Sequence, residues 1–119
     1  MGSSGANQIR DSFGKIVGCI QQGKPAEAEA LAQQVLRDHP NDPNILRVLG
    51  VALMRQGKFE DALKHLSTSV KIAPELADGH EQYGLALAAL GQLNEAEESL
   101  QTALRLACER QFSYYLLLQ

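Results

Sequence analysis

A six-residue phrase recurs at a fixed spacing. Gly23-Lys24-Pro25-Ala26-Glu27-Ala28 is followed by Gly57-Lys58-Phe59-Glu60-Asp61-Ala62 and Gly91-Gln92-Leu93-Asn94-Glu95-Ala96, each 34 residues after the last. The same interval links Val17, Val51 and Leu85, then Cys19, Leu53 and Leu87, then Gly18, Ala52 and Ala86. It also pairs Pro40 with Pro74, Gly50 with Gly84 and Leu66 with Leu100. A tandem unit of this size cannot bury its apolar face alone, so successive copies must stack and share one interior. Function is then to be sought on the surfaces of that stack.

Inside each unit the apolar residues step by three and four, as in Ile45, Leu46, Leu49 and Leu53, then Leu63, Leu66 and Val70, which is a helical period. Gly57 interrupts the run where a left-handed glycine would close one helix before Lys58 opens the next. Pro40 and Pro74 mark the ends of second helices, because proline has no amide proton and clashes inside a helix. Asp42 before Pro43 reads as an N-cap followed by proline in the first turn. Helices are expected over 7–22, 25–38, 43–56, 59–72, 77–90, 93–107 and 110–119. Gly50 and Gly84, with Ala28, Ala62 and Ala96, are small enough to let paired helix axes approach closely.

Composition agrees with this and narrows the partners. The 119 residues are 45% hydrophobic and 21% charged but only 5% aromatic, with no Trp, so the interior is built from aliphatic residues that suit packed helices. A formal net charge of −3 and a sequence pI near 5.5 give no long-range attraction for nucleic acid or anionic lipid. No apolar run approaches the roughly 20 residues that cross a bilayer, so the chain reads as soluble, with a cytoplasmic location by default and no membrane partner. Residues 1–6 read as a disordered expression remnant. The apolar run that reaches Gln119 without a helix-closing residue reads as a cut from a longer protein.

Gly and a large apolar residue in the first helix, Gly at the turn, Ala in the second helix and Pro after it make the unit resemble the tetratricopeptide repeat. Three repeats are delimited: 9–42, 43–76 and 77–110. In the second, Leu46, Leu49, Gly50, Leu53, Ala62, Leu66 and Pro74 match. In the third, His80, Tyr83, Gly84, Leu87, Ala96, Leu100 and Ala103 match, with Cys108 in the place of the proline. The first departs most, because Lys15-Ile16 stands where Leu49-Gly50 stands, and Gly14 and Gly18 each cost about 1 kcal/mol of helix stability. A loosened or shifted first helix is the expectation. The resemblance implies an all-α, right-handed α-solenoid of three helical hairpins plus a C-terminal helix at 111–119.

The resemblance also implies a protein-interaction scaffold that binds a peptide or helix of a partner, without catalysis, in a concave groove lined by first helices. The matching positions are Arg10, Phe13 and Val17, then Asn44, Arg47, Val51 and Arg55, then Asp78, Glu81, Gln82 and Leu85. An apolar floor of Val17, Val51 and Leu85 would supply burial. Arg47 and Arg55 at one side and Asp78 and Glu81 at the other would orient a dipolar segment, unless these charges are simply a solvated face. Members of the family that grip a chaperone's C-terminal carboxylate do so with Lys, Asn and Arg at places filled here by Phe13, Val17, Val48, Asp78 and Gln82, so that ligand is not expected. An alternative is an N-terminal appendage of a larger bacterial enzyme, such as a sulfotransferase, that positions a protein substrate.

No other chemistry competes. Cys19 and Cys108 stand where other copies carry apolar or small residues and read as core thiols. His39, His65 and His80 show no metal-ligand spacing, and no Gly-rich phosphate loop or nucleophile elbow is present, so neither metal nor cofactor is expected. His80 occupies the place of a bulky packing residue. The segment from Phe112 to Leu118 is too apolar for the polar cap that usually ends such a stack. It reads either as the start of a fourth repeat or as a self-association surface, built on Phe112, Tyr115 and Leu116, that would give a homodimer through residues 111–119.

Overall fold

The computed structural model describes residues 4–118, with side chains from residue 8. Six helices and no strand occur among the described residues: α1 (Ser4–Gln21), α2 (Pro25–Asp38), α3 (Pro43–Arg55), α4 (Phe59–Ile72), α5 (Ala77–Ala89) and α6 (Leu93–Leu117).

Three identical turns close the hairpins. Gly23, Gly57 and Gly91 hold φ of 78°, 78° and 82°, a left-handed conformation that a Cβ would penalise. The amides of Lys24, Lys58 and Gln92 then reach back to the carbonyls of Cys19, Leu53 and Leu87 at 2.8, 2.9 and 2.9 Å. Those of Gly23, Gly57 and Gly91 reach Ile20, Met54 and Ala88. This pair of bonds satisfies carbonyls that the end of a helix leaves without partners. At the junction between the first two hairpins, the Asp42 carboxylate accepts from the Asn44 and Ile45 amides at 3.0 and 3.1 Å. α2 stops at Asp38 and α4 at Ile72, two residues before Pro40 and Pro74.

Helix closeness is set by the small residues. A Cβ built on Gly50 would stand 2.5 Å from Leu66 Cγ, and one on Gly84 would stand 2.8 Å from Leu100 Cγ. In both hairpins a leucine of the second helix therefore occupies the space a side chain would need. In the first hairpin the same two places are held by Ile16 and Ala32, both fully buried in the shared core. The bulk has moved from one helix to the other. The volume is thus conserved across the pair and its register is kept, although α1 meets α2 less extensively than α3 meets α4, as expected of a looser first helix.

Two expectations about the ends are corrected. α1 begins at Ser4, so residues 4–6 are helical rather than disordered; no proline stands between them and Ile9, and extending a formed helix costs little. Residues 1–3 lie outside the described residues. The separate helix expected over 110–119 is instead the last part of α6, which runs unbroken for 25 residues. Cys108, unlike Pro40 and Pro74, keeps its amide proton and forms no clash, so nothing stops the helix. Gln119 lies outside the described residues.

Each helix packs on its neighbours in sequence, and in addition α1 touches α3 and α3 touches α5. Second helices do not meet one another among the described residues. First helices are therefore drawn together on the inside of a curve and second helices splay on the outside, an open stack with a trough. The radius of gyration of 15.0 Å exceeds the ~13.5 Å of a compact domain of this length, as an open stack requires.

Candidate peptide-binding groove

The inner face is made by α1, α3 and α5, whose hairpin-facing sides carry Ile16, Leu49 and Leu87 into the core. The residues expected to line a groove are placed as follows. Phe13, Val17 and Val51 are partly buried and rest on the core cluster. Arg10, Asn44, Arg55, Asp78 and Glu81 are exposed, while Arg47 and Gln82 are half-buried. Leu85 is 46% exposed, a large apolar side chain facing water.

Some of these residues meet. The Arg47 guanidinium lies 5.7 Å from the centroid of the Phe13 ring, a cation–π contact that ties α3 to α1. Arg10, Phe13 and Asn44 line a pocket of ≈ 370 Å³ together with Ile9 and Asp42. Sequence reasoning missed Ile9 and Asp42 as lining residues. Asp42 was legible as a helix cap, but its place beside Arg10 depends on how α1 sits against the start of α3. Among the described residues the ion pairs are Lys58–Glu29 at 3.4 Å and Arg105–Glu109 at 3.2 Å, both off this face. The groove's arginines and carboxylates thus do not neutralise one another.

A polar clip fixes the first hairpin to the second. The Gln56 side-chain amide donates to Glu29 Oε1 at 2.8 Å and to the carbonyls of Ala52 and Pro25 at 3.2 and 3.4 Å. The Gln56 bond, and after it Lys58, hold the Glu29 carboxyl below the usual carboxylate range against the opposing effect of burial. His80 Nε2 donates to the Pro74 carbonyl at 2.7 Å, so this side chain pins the α4–α5 junction. Ser69, the one buried polar side chain among the described residues, donates to the Pro43 carbonyl at 2.9 Å.

The described residues contain no cluster of three His, Cys, Asp or Glu side chains that could hold a metal ion. Cys19 is half-buried and Cys108 exposed, so Cys108 is not the core thiol expected from its repeat position. No helix of the described residues is long and apolar enough to cross a membrane.

A model of the tetratricopeptide repeat matches residues 20–86, and a second model of the same repeat matches residues 77–107. The chain belongs to the tetratricopeptide repeat family. No curated protein matches the sequence. Among solved structures, the second tetratricopeptide domain of Spaghetti (RPAP3) bound to an HSP90 peptide, SRMEEVD, overlays with a TM-score of 0.79. It is 21% identical, and the overlay covers 87% of this chain and 98% of that one. The second tetratricopeptide domain of human RPAP3 in complex with an HSP70 peptide gives 0.77 at 20% identity, covering 86% and 85%. A mutant O-GlcNAc transferase of Thermobaculum terrenum gives 0.82 at 26% identity over 86% of this chain, which spans only 20% of the transferase.

Proposed function

We propose that this tetratricopeptide stack is a protein-interaction scaffold that receives an extended peptide or a short helix of a partner protein in the trough lined by α1, α3 and α5. The observation that carries this reading is the unneutralised charge of the inner face: Arg10, Arg47 and Arg55 on the first two hairpins, Asp78 and Glu81 on the third. Val17, Val51 and Leu85 form the apolar floor between them. A ligand acidic at one end and basic at the other gains at both ends in one orientation and is repelled at both in the reverse. Binding of chaperone peptides by two proteins of the same fold supports a peptide as the ligand class.

A chaperone tail is not the ligand in this reading. Val48, at one of the places that would grip a terminal carboxylate, is buried. Asp78 and Glu81 would repel such a group. Two thiols free of any disulfide, Cys19 and Cys108, suit a reducing compartment, and a cytoplasmic setting is part of the proposal.

Peptide-display selection followed by fluorescence anisotropy tests the reading. Selected peptides carry acidic residues toward one end and basic residues toward the other, SRMEEVD does not bind, and the double substitution Arg47→Glu with Arg55→Glu weakens binding by about tenfold or more. Selected peptides indifferent to that reversal would sink the proposal. A second reading, in which these repeats form an N-terminal appendage of a larger bacterial enzyme such as a sulfotransferase and position its protein substrate, draws support from the overlay on one part of a transferase. The groove would then receive the substrate, and the same variants apply.

A further inference from the structure

The pocket of ≈ 370 Å³ between the first half of α1 and the start of α3 combines an apolar wall with a surplus of positive charge. Ile9 and Phe13 stand one helical turn apart on the same face. Both rest on the core cluster, so their inner sides are held while their outer sides wall the pocket. Arg10 also lines it. Arg47, 5.7 Å from the centroid of the Phe13 ring, brings a second guanidinium to the same place. Neither arginine takes part in an ion pair among the described residues, and residues 1–7 contain no Asp or Glu that could supply one. The carboxylate at the rim, Asp42, is engaged by the Asn44 and Ile45 amides at 3.0 and 3.1 Å. Two positive charges thus stand against one committed negative charge around an apolar hollow.

The next gap between first helices, α3 to α5, has a different chemistry. Moved on by 34 residues, Ile9 is matched by Pro43, Phe13 by Arg47, Arg10 by Asn44 and Asn44 by Asp78. The aromatic wall is gone, one positive charge becomes neutral and one neutral group becomes negative. A ligand residue suited to the first gap therefore has no equivalent seat at the second, and a ligand held in the first is fixed in register as well as in orientation.

We infer that this pocket seats one large apolar side chain of a partner peptide, with a carboxylate on the neighbouring ligand residue answered by Arg10 and Arg47. The inference rests on the peptide-binding reading of the trough and adds where the ligand is anchored and by what sequence. A volume near the bottom of the ~300–1,000 Å³ range of small-ligand sites suits a single side chain of a longer ligand. The two guanidinium groups favour an acidic neighbour and oppose a basic one. Packed helices lie about 8–10 Å apart, which puts α5, with Asp78 and Glu81, about 12–15 Å from the gap between α1 and α3. An extended chain crosses that distance in about four residues at ~3.3 Å each. The ligand motif is then an apolar residue beside Asp or Glu, with Lys or Arg about four residues away.

A phage-displayed library of random peptides about twelve residues long, panned on the whole chain and followed by fluorescence anisotropy of the selected sequences, tests the inference. Enriched peptides should carry that motif, and replacing their apolar residue by Ala should weaken binding by about 30-fold. Asn44→Trp fills the pocket from an exposed position in the first turn of α3 and should weaken binding by about tenfold or more, with helical circular dichroism retained. A benzoylphenylalanine at the ligand's apolar position should cross-link to residues 9–13 or 42–44. Peptides that bind and lose affinity with the Arg47→Glu and Arg55→Glu pair, yet ignore Asn44→Trp or cross-link elsewhere, overturn the pocket and leave the scaffold reading in place. A library that yields no binder overturns the trough reading and the pocket with it. A chain that self-associates in sedimentation equilibrium and is dispersed by Asn44→Trp replaces the peptide anchor with a second copy and overturns the inference.

Discussion

Ile16 and Ala32 illustrate how a repeat keeps its packing while breaking its motif. The glycine that two hairpins use in the first helix is answered by Leu66 or Leu100 in the second, and the first hairpin exchanges the two sizes. Ile16→Gly should leave a cavity and cost about 2–5 kcal/mol. Ala32→Leu should overpack and cost roughly 1–3 kcal/mol. The double substitution restores the arrangement of the other hairpins, so its loss in urea denaturation should fall well below the sum of the singles. Additive losses would mean that the two side chains do not share one space. In the sequence, Ile16 registered only as a missing small residue; the compensation lay in a residue 16 positions away and needed the helix pair to bring it into view.

The elements are held to one another by features of different range. Between the first two hairpins the Gln56–Glu29 bond is charge-assisted and responds to acid. Glu29 titrates below its unfolded value, so its contribution is complete above the unfolded carboxylate pKa of about 4.3. It is lost as pH falls through the lower folded value. Glu29→Gln should cost about 1 kcal/mol at pH 7, and the deficit should fade in thermal melts of both proteins as pH falls through the lowered folded value of Glu29. A deficit independent of pH would assign the effect to packing. At the far end, a single residue decides the length of α6. Cys108→Pro should end the helix near Leu106, since the residue before proline avoids helical geometry, and should remove about ten residues of helix from the circular dichroism while the hairpins stay folded.

For the whole molecule the consequence is a separation of surfaces. The inner and outer surfaces face different directions, because α1–α3–α5 contacts close the inside of the curve while the second helices stay apart. A ligand held by the trough's charges should bind more weakly as salt rises, since exposed charges are screened over about 8–10 Å near physiological ionic strength. Anisotropy titrations from 50 mM to 500 mM salt should show that loss, and the Arg47→Glu with Arg55→Glu variant should show a shallower slope. A salt-independent affinity would assign binding to the apolar floor instead.

The turns, the hairpin boundaries, the caps and the all-helical class were legible in the sequence, because glycine at positive φ, proline at helix ends and an aspartate before a first-turn proline act within a few residues of themselves. The alignment of repeat positions along the stack was legible too, since equivalent places in a repeat share a face. Tertiary structure alone decided that Arg47 lies on Phe13, that Ile9 and Asp42 join the pocket, that Gln56 reaches Glu29, and that α6 continues past Cys108. Those depend on how separate helices approach, and on the absence of any stop signal strong enough to override a helix already growing. Such quantities are set by packing across 20 or more residues, beyond the reach of local pattern.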